Sequence, residues 1–438
     1  MTVIKARGKI KVRGDFDLQE KKLKFSRIMY ILEAAFEYLL TIPVTGAYLA
    51  TLTGYVGMSD SLTGIMSSVV SLGCLFQLLS LLFHPQRVKP VVIALSILNQ
   101  ILFMLLYMVP FIKTDTGTKN VIFVVLIISA YFIYNVAHPK KISWLMSLVQ
   151  DGKRGSFTAN KEIVSLIIGM VFTLALGNVI DAFNAVGNVK GAFILCGLVM
   201  LTLMLLHTIT LFFSVEPEVS REKATFKNAL KVLKDKNVLK ITVVFILWNI
   251  AKDSALPFYG SYQIKELGFS LGFISVITVA ASLSRVLVSR FWGKYADKHS
   301  FSKMIIWCFL IAAASFAVAA FSVPSNGRVM QTVHNILQYV AMGGINSALI
   351  NLVFDYVKPK YRGDALAVNQ ALSGLAGFIT TVIAGGAVSY IQQKGYALFG
   401  VSLYAQQLLS IFACLVTLCA AAYVYFSLVK KGDEESDA

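Results

Sequence analysis

Long apolar stretches recur along nearly the whole chain, separated by short polar segments. Each holds roughly 20 residues or more, enough for a helix to cross a hydrocarbon core of about 30 Å. Because lipid offers no hydrogen-bond partners to bare backbone groups, the stretches predict helices. The predicted membrane spans are approximately 27–52, 62–83, 90–112, 120–148, 157–180, 191–214, 238–263, 270–291, 304–324, 329–355, 364–390 and 403–429.

Composition agrees with this pattern and excludes an ordinary water-soluble globule. Hydrophobic residues make up 57% of the 438 residues, charged residues make up 14%, and the mean hydropathy is +0.70. The net charge of +17 is concentrated in the N-terminal segment and in alternate short loops. This bias predicts that both termini are cytoplasmic, and it explains the charge without nucleic-acid binding. The five cysteines fall inside spans without paired spacing, so we expect neither a disulfide nor a structural metal.

Two pairs of similar segments predict two copies of a six-helix unit. "TIPVTGAY" (41–48) is similar to "ALPFYGSY" (255–262), which aligns Gly46 with Gly260, and "KRGSFTANKEIVSLIIG" is similar to "YRGDALAVNQALSGLAG". Parallel repeats of this kind occur in transporters whose halves rock about a site at the membrane midplane. The predicted divisions are a cytoplasmic N-terminal segment 1–26, a six-helix bundle 27–214, a cytoplasmic linker 215–237, a second six-helix bundle 238–429 and a cytoplasmic tail 430–438.

The segment "RFWGKYADKHSFSKMI" (290–305) resembles a loop signature of the major facilitator superfamily (MFS). Gly293, Asp297 and Lys298 occupy its glycine, aspartate and cation positions. The resemblance implies an all-α integral membrane protein with twelve transmembrane helices in two pseudo-symmetric six-helix bundles, the MFS fold. The matching loop of the first half, "LFHPQRVKPVVI" (82–93), departs from the signature because it has no aspartate.

The resemblance also implies a gating role for the loop aspartate, which in the family faces a helix start in the other half and steadies the outward-facing state. A carboxylate at such a helix end contributes typically about 0.3–1 kcal/mol. We expect Asp297 to act in this way near Gly155 and Ser156, with the aligned Arg154 and Arg362 completing the gating motif. The alternative is a tight cytoplasmic turn, with glycine for backbone freedom and lysine for topology.

Two glutamates lie inside the first predicted span. Glu33 and Glu37 are roughly 9 and 15 Å along a helix that starts near Arg27, and their spacing of four places them on one face. A charged carboxylate at the centre of a span costs about 2.5–3.5 kcal/mol, so such groups normally face a bundle interior or a wet cavity. Lys140 and Lys141 of the fourth span lie at a similar depth, and only one of them can point toward the glutamates.

The seventh predicted span contributes another charged pair, Lys252 and Asp253. Neighbouring helix positions diverge by about 100°, so we expect the two to have different partners, with Arg285 as the candidate for Asp253. Two interpretations of the intramembrane charges remain open. They are either buried ion pairs that fix helix register, or they include a carboxylate that titrates during transport. In the second case the proton-coupling candidates are Glu37 first, then Glu33 and Asp253.

Amide, hydroxyl and aromatic side chains in the predicted cavity-lining spans suit a polyhydroxylated ligand. Amides make directional hydrogen bonds, and rings stack on apolar sugar faces. The alternative is that these residues join helices or lie at the membrane interface. The substrate-binding candidates are Tyr38, Thr41, Asn135, His138, Trp248, Asn249, Tyr259, Gln338, Asn346, Asn369 and Gln370.

The sequence therefore predicts a secondary active transporter in the cell (inner) membrane. By alternating access and proton-coupled symport, it would move a sugar, glycoside or similar small polar solute. The alternatives are proton-driven efflux of drugs or metabolites and, less favoured, a non-transporting nutrient sensor. The histidines are dispersed and no G-x-x-x-x-G-K-S/T motif occurs, so we expect no enzyme activity, no metal, no ATP and no cofactor. We expect a monomer in the bilayer.

Overall fold

A computed structural model describes residues 2–77, 87–150, 154–216, 233–358, 362–395, 397–398 and 401–430, with most side chains from Glu20 onward. Helices dominate this part of the chain. They are α1 (Thr2–Thr41), α2 (Gly46–Val56), α3 (Asp60–Ser67), α4 (Val69–Phe76), α5 (Val88–Leu106), α6 (Thr116–Met146), α7 (Arg154–Ala185), α8 (Val189–Phe213), α9 (Lys236–Ser261), α10 (Leu271–Lys298), α11 (Phe301–Ala320), α12 (Gly327–Tyr356), α13 (Arg362–Gln393) and α14 (Ala405–Val424). Two-residue strands β1 (Ala397–Leu398) and β2 (Val401–Ser402) form a small antiparallel hairpin.

The helices agree with a multi-pass membrane protein. Ten of them, α5 to α14, are each long and apolar enough to cross a membrane, and α1 with α2 forms an eleventh candidate span, bent by 42°. The bend follows Pro43, which lies in a 3₁₀ turn and cannot donate a backbone hydrogen bond. The place of the second predicted span is taken by a shorter apolar stretch, α3 and α4, and the following residues 78–86 lie outside the described chain. The protein is therefore an all-α integral membrane protein.

The helices of each half pack mainly with one another. In the first half α1 packs against α7 and α8, and α5 packs against α6 and α8. In the second half α9 packs against α13 and α14, and α11 packs against α12 and α14. Most of the predicted linker, 217–232, and most of the predicted tail, 431–438, lie outside the described residues. The predicted N-terminal segment 1–26 is helical from Thr2 and continues into the first span without a break.

The halves meet through α2 with α9, α3 and α4 with α13, and α7 with α10. At one end of the molecule these contacts are made by glycines. A Cβ added to Gly260 would lie 2.7 Å from the carbonyl oxygen of Gly46, and Gly64 and Gly177 are packed in the same way against Phe258 and Ser275. Glycine allows such close approach because it has no side chain. This end, which we call the outer end after the predicted orientation, is sealed by nearly direct backbone contact.

Because the Gly46 and Gly260 backbones touch, Gly260→Ala is expected to force α2 and α9 apart. Gly386→Ala is the matched control, since a Cβ there meets nothing within 4 Å. We expect Gly260→Ala to speed maleimide labelling of a cysteine placed at Ser61, which lies in the same interface beside Gly385. Labelling should be measured in purified protein, with the unmodified chain as background. Equal labelling in both glycine variants would contradict a tight seal.

Candidate transport cavity and buried charge cluster

A large cavity lies between the two halves and has two adjoining lobes. The larger lobe, about 1200 Å³, lies between α4 and α6 of the first half and α9, α12 and α13 of the second. The second lobe, about 690 Å³, lies beside α1 and α7, and His138, Ile142 and Met342 line both lobes. The larger lobe extends to Met146 and Ser147 at the last turn of α6, opposite the outer end. The cavity is therefore closed at the outer end and extends toward the other.

The two glutamates of α1 share one lysine of α6. Lys141 Nζ lies 2.6 Å from Glu33 Oε1 and also forms an ion pair with Glu37 Oε2. Glu33 is 1% exposed and Lys141 is 3% exposed, so this contact is sealed from solvent. Of the two adjacent lysines, Lys141 therefore takes the position between the carboxylates. Removing one partner of such a pair would leave an uncompensated buried charge, which typically costs about 3–5 kcal/mol.

Glu37 connects this cluster to the cavity. Both glutamates border the second lobe, but the side chain of Glu37 is 17% exposed and that of Glu33 only 1%. His138 Nδ1 lies 3.7 Å from Glu37 Oε1, too far for a good hydrogen bond, and its ring packs against Tyr134. Glu37 is therefore the more exposed carboxylate of the cluster and faces the cavity while it remains paired with Lys141.

The cluster extends away from the cavity through a histidine of α8. His207 Nε2 lies 3.1 Å from Glu33 Oε1, and its Nδ1 lies 2.9 Å from Gln100 Nε2 on α5. Glu33, Glu37 and His207 are close enough to hold a metal ion by geometry alone. The ammonium of Lys141 already supplies the positive charge between the two carboxylates, so the donor set does not favour a metal.

Lys252 and Asp253, the charged pair of α9, do not have the partners that were predicted for them. Lys252 Nζ folds back to Asp253 Oδ1 at 3.1 Å, because its long flexible stem overcomes the divergence of neighbouring helix positions. Asp253 Oδ2 accepts a hydrogen bond of 2.8 Å from Ser71 in the other half. Arg285 contacts Glu162 at 3.4 Å instead, because α10 packs against α7. The predicted Asp253 to Arg285 pair is therefore wrong.

Most predicted substrate-binding residues line the cavity. His138, Trp248, Asn249, Asn346 and Gln370 line the larger lobe, and Tyr38, Thr41, Gln338 and again His138 line the second. Trp248 is mostly buried and stacks on Phe309, so it offers the cavity only part of its surface. Gln338 is also mostly buried and accepts a hydrogen bond from Ser315.

Three predicted residues line neither lobe, and each is engaged elsewhere. Asn135 donates to the Tyr131 carbonyl and accepts from Gln77. Tyr259 is bonded to Ser410, and Asn369 accepts from Thr242 at 2.6 Å. These polar groups join helices, which is the alternative that residue type alone could not exclude. In this structure the contacts of these three residues therefore give no support to their assignment to the substrate site.

The outer end is held by charged contacts that the sequence analysis did not identify. Asp60, at the start of α3, accepts from Lys265 Nζ at 2.5 Å and from Gln392 Nε2 at 2.7 Å, both in the other half. Asp181 of α7 accepts from the backbone N–H groups of Leu271 and Gly272 at the start of α10. The sequence could have pointed to these contacts, because Asp60, Asp181 and Lys265 lie close to the outer ends of predicted spans.

Asp181 is thus a carboxylate at the helix N-terminus of the other half, the interaction that was predicted for Asp297. Asp297, Lys298 and Gly293 are exposed, and Asp297 has no hydrogen bond or ion pair to a residue of the described chain. Arg362 donates to the Phe354 and Val357 carbonyls of its own half. Only the backbone of Arg154, Gly155 and Ser156 is described. The gating role of this motif stays a prediction.

Comparison with known proteins agrees with this architecture. The family model described as Major Facilitator Superfamily matches residues 249–437. A ribitol transporter of Klebsiella pneumoniae is 26% identical over 157 residues. That match covers 34% of this chain and 35% of the ribitol transporter, so only about a third of the relative is represented.

Three solved structures share the fold over nearly the whole chain. The D-xylose-proton symporter has a TM-score of 0.66 at 16% identity, covering 90% of this chain and 97% of that one. The nucleoside transporter NupG has a TM-score of 0.64 at 14% identity, covering 92% and 98%. A bacterial homologue of the human lysosomal transporter Spinster, in an inward-facing and unoccupied conformation, has a TM-score of 0.65 at 14% identity, covering 93% and 96%. The second half of the chain thus matches the major facilitator superfamily model, and the fold of the chain is similar to that of these three transporters, with the subfamily unidentified.

Proposed function

We propose that the protein is a proton-coupled symporter of a small, neutral, polyhydroxylated solute. The observation that carries this proposal is the position of Glu37, which faces the cavity between the halves while sharing Lys141 with the enclosed Glu33. A carboxylate in such a place changes its proton affinity when its access to water or its lysine partner changes. Solute binding and movement of the halves can therefore be coupled to one proton.

The lining of the larger lobe supports a neutral solute. Its polar groups include the amides of Gln77, Asn249, Asn346 and Gln370, and the charge of Lys252 is matched by Asp253. Amides both donate and accept hydrogen bonds, as hydroxyl groups require. Ribitol, D-xylose and nucleosides, which the similar proteins are named for, all carry neighbouring hydroxyl groups. This common chemistry makes pentitols, pentoses and nucleosides the first solutes to test.

The proposal includes an orientation and a conformational state. With both termini in the cytoplasm, the end sealed by Asp60 and Asp181 faces outward and the cavity extends toward the cytoplasm. The structure then corresponds to an inward-open state in the cell membrane, with the protein acting as a monomer. Breaking the outer contacts would give the alternate state.

Counterflow in proteoliposomes tests the solute class. Vesicles loaded with unlabelled ribitol, D-xylose, uridine or a cationic drug receive the labelled compound outside, and a pH gradient is then imposed. We expect exchange of at least one polyhydroxylated solute and its accumulation when the outside is acidic. Exchange of the drug alone would contradict the proposal and favour efflux.

Glu37→Gln is expected to abolish accumulation driven by the pH gradient and to leave counterflow within about twofold. The amide keeps the size of the side chain but cannot take part in the proton cycle. Both rates should be measured on the same proteoliposomes.

The matched control is Glu20→Gln, an exposed glutamate of the same helix whose partner is Lys24. It should leave both activities unchanged. Parallel loss of counterflow and accumulation in the Glu37 variant, with the protein still folded, would show that the carboxylate is structural.

Asn346→Ala is expected to weaken solute binding, because Asn346 lines the larger lobe. Loss of one neutral hydrogen bond, about 0.5–1.5 kcal/mol, corresponds to an increase in the KM for counterflow of about 2- to 12-fold. Asn351→Ala is the control on the same helix, since Asn351 bonds the Ser347 carbonyl and does not line either lobe. Equal KM values in the two variants would remove Asn346 from the binding site.

A further inference from the structure

His207 is buried in the first half and lines neither lobe of the cavity, yet it contacts the ion-pair cluster. Its side chain is 0% exposed, and its two ring nitrogens face Glu33 and Gln100. In the arrangement present, a neutral imidazole donates from Nε2 to Glu33 and accepts at Nδ1 from the Gln100 amide. The contacts that hold this ring are therefore a carboxylate on one side and an adaptable amide on the other.

The charges of the cluster do not balance. Glu33 and Glu37 contribute two negative charges, Lys141 contributes one positive charge, and neutral His207 contributes none. A buried net charge is unfavourable, so one additional proton stabilises this group of contacting side chains. The proton can be bound next to the cavity, by Glu37 or by His138 beside it, or by His207 at the far end of the cluster.

Gln100 is suited to both protonation states of His207. It is 4% exposed, and its Oε1 has no hydrogen-bond partner in the described part of the chain. Rotation of the amide by half a turn would present Oε1 to Nδ1. A protonated imidazole would then donate from both nitrogens, to Glu33 and to Gln100. Gln100 Oε1 would thus gain a hydrogen-bond partner when His207 is protonated.

A small polar cavity connects the two ends of the cluster. It measures about 10 Å³ and is lined by Glu37, Ser96, Asn99, Gln100, Lys141 and His207, among others. This volume holds about one water molecule, and several hydrogen-bonding groups surround it. Water in this cavity would link Glu37 to His207 without passing through the solute lobes.

The helices that pack against α8 bring few other charges to His207. α1 contributes Glu33 with Glu37 behind it, α5 contributes the neutral Gln100, and Lys141 of α6 lies between the carboxylates. α7 contributes Lys161, whose ammonium lies over the ring of Tyr30 at 4.8 Å, and Glu162, which lines the second lobe and contacts Arg285.

We propose that His207 is a second proton-binding residue, which stores the coupling proton away from the solute. This inference rests on the proposed symport. A proton leaves the Glu37 carboxyl group and reaches His207 Nδ1 through the small cavity. Glu37 becomes a carboxylate paired with Lys141, and His207 becomes an imidazolium paired with Glu33. The net charge of the cluster is the same before and after, so the transfer needs no further ion.

Proton binding can be tested without any solute. The full chain, labelled with [¹⁵N]histidine and reconstituted in nanodiscs, is titrated by NMR from about pH 5 to pH 8, and the His207 signal is identified by its loss in His207→Gln or by elimination with the other histidine variants. We expect His207 to titrate in this range. Glu33→Gln should move its midpoint to lower pH, because the carboxylate stabilises the imidazolium. A His207 that stays in one protonation state throughout would overturn the proposal.

Transport provides the second readout. His207→Gln is expected to reduce accumulation of labelled ribitol or D-xylose in an acid-outside gradient by at least tenfold, with counterflow within about twofold. The control is His334→Gln, a buried histidine of the second half that bonds the Ser315 carbonyl. Normal accumulation in the His207 variant, or equal loss of both activities, would overturn the storage role. If the unmodified protein accumulates no solute, the proposed symport fails, and the NMR titration alone decides whether His207 binds a proton.

Discussion

Much of this structure depends on one ammonium group held between two carboxylates inside a helical bundle. Lys141 on α6 can contact both Glu33 and Glu37 only if α1 and α6 lie at one relative rotation and one height. A lost partner would leave an uncompensated buried charge at a cost of about 3–5 kcal/mol. The interaction therefore fixes the register of these helices, and it also sets Glu37 at the wall of the cavity.

The buried charged contacts are distributed unequally between the two halves. The cluster around Lys141 lies wholly within the first half, so its contacts can persist when the halves move. Asp253 of the second half is instead bonded to Ser71 of the first, and Asp60 to Lys265 and Gln392, so in the proposed transport cycle these contacts would break when the cavity changes sides. In that proposal, polar contacts within a half serve proton binding, and those between halves determine which side is closed.

Most membrane spans could be predicted because span length and hydropathy are properties of the chain itself, whereas the twelve-helix arrangement was implied by the family resemblance. The sequence also placed Glu33, Glu37 and the lysines of α6 at one depth, since the rise of a helix is fixed. It could not assign partners that depend on which face of a helix meets which neighbour. Asn135, Tyr259 and Asn369 are ordinary helix-joining groups, Lys252 folds back along its own helix, and His207 gained significance only from its contact with Glu33.

The contact between Gly46 and Gly260 joins two positions that the internal repeat aligns, and so it lies close to the pseudo-two-fold axis. Gly46 also has a positive φ of 55°, which restricts the position to glycine on backbone grounds. Because neither glycine has a side chain, no change of rotamer at this contact can open a gap for water. In the proposed symporter, such a seal would keep hydronium from leaking down the membrane potential during each cycle, a loss that would discharge the energy source of the cell even if every turnover delivered its solute.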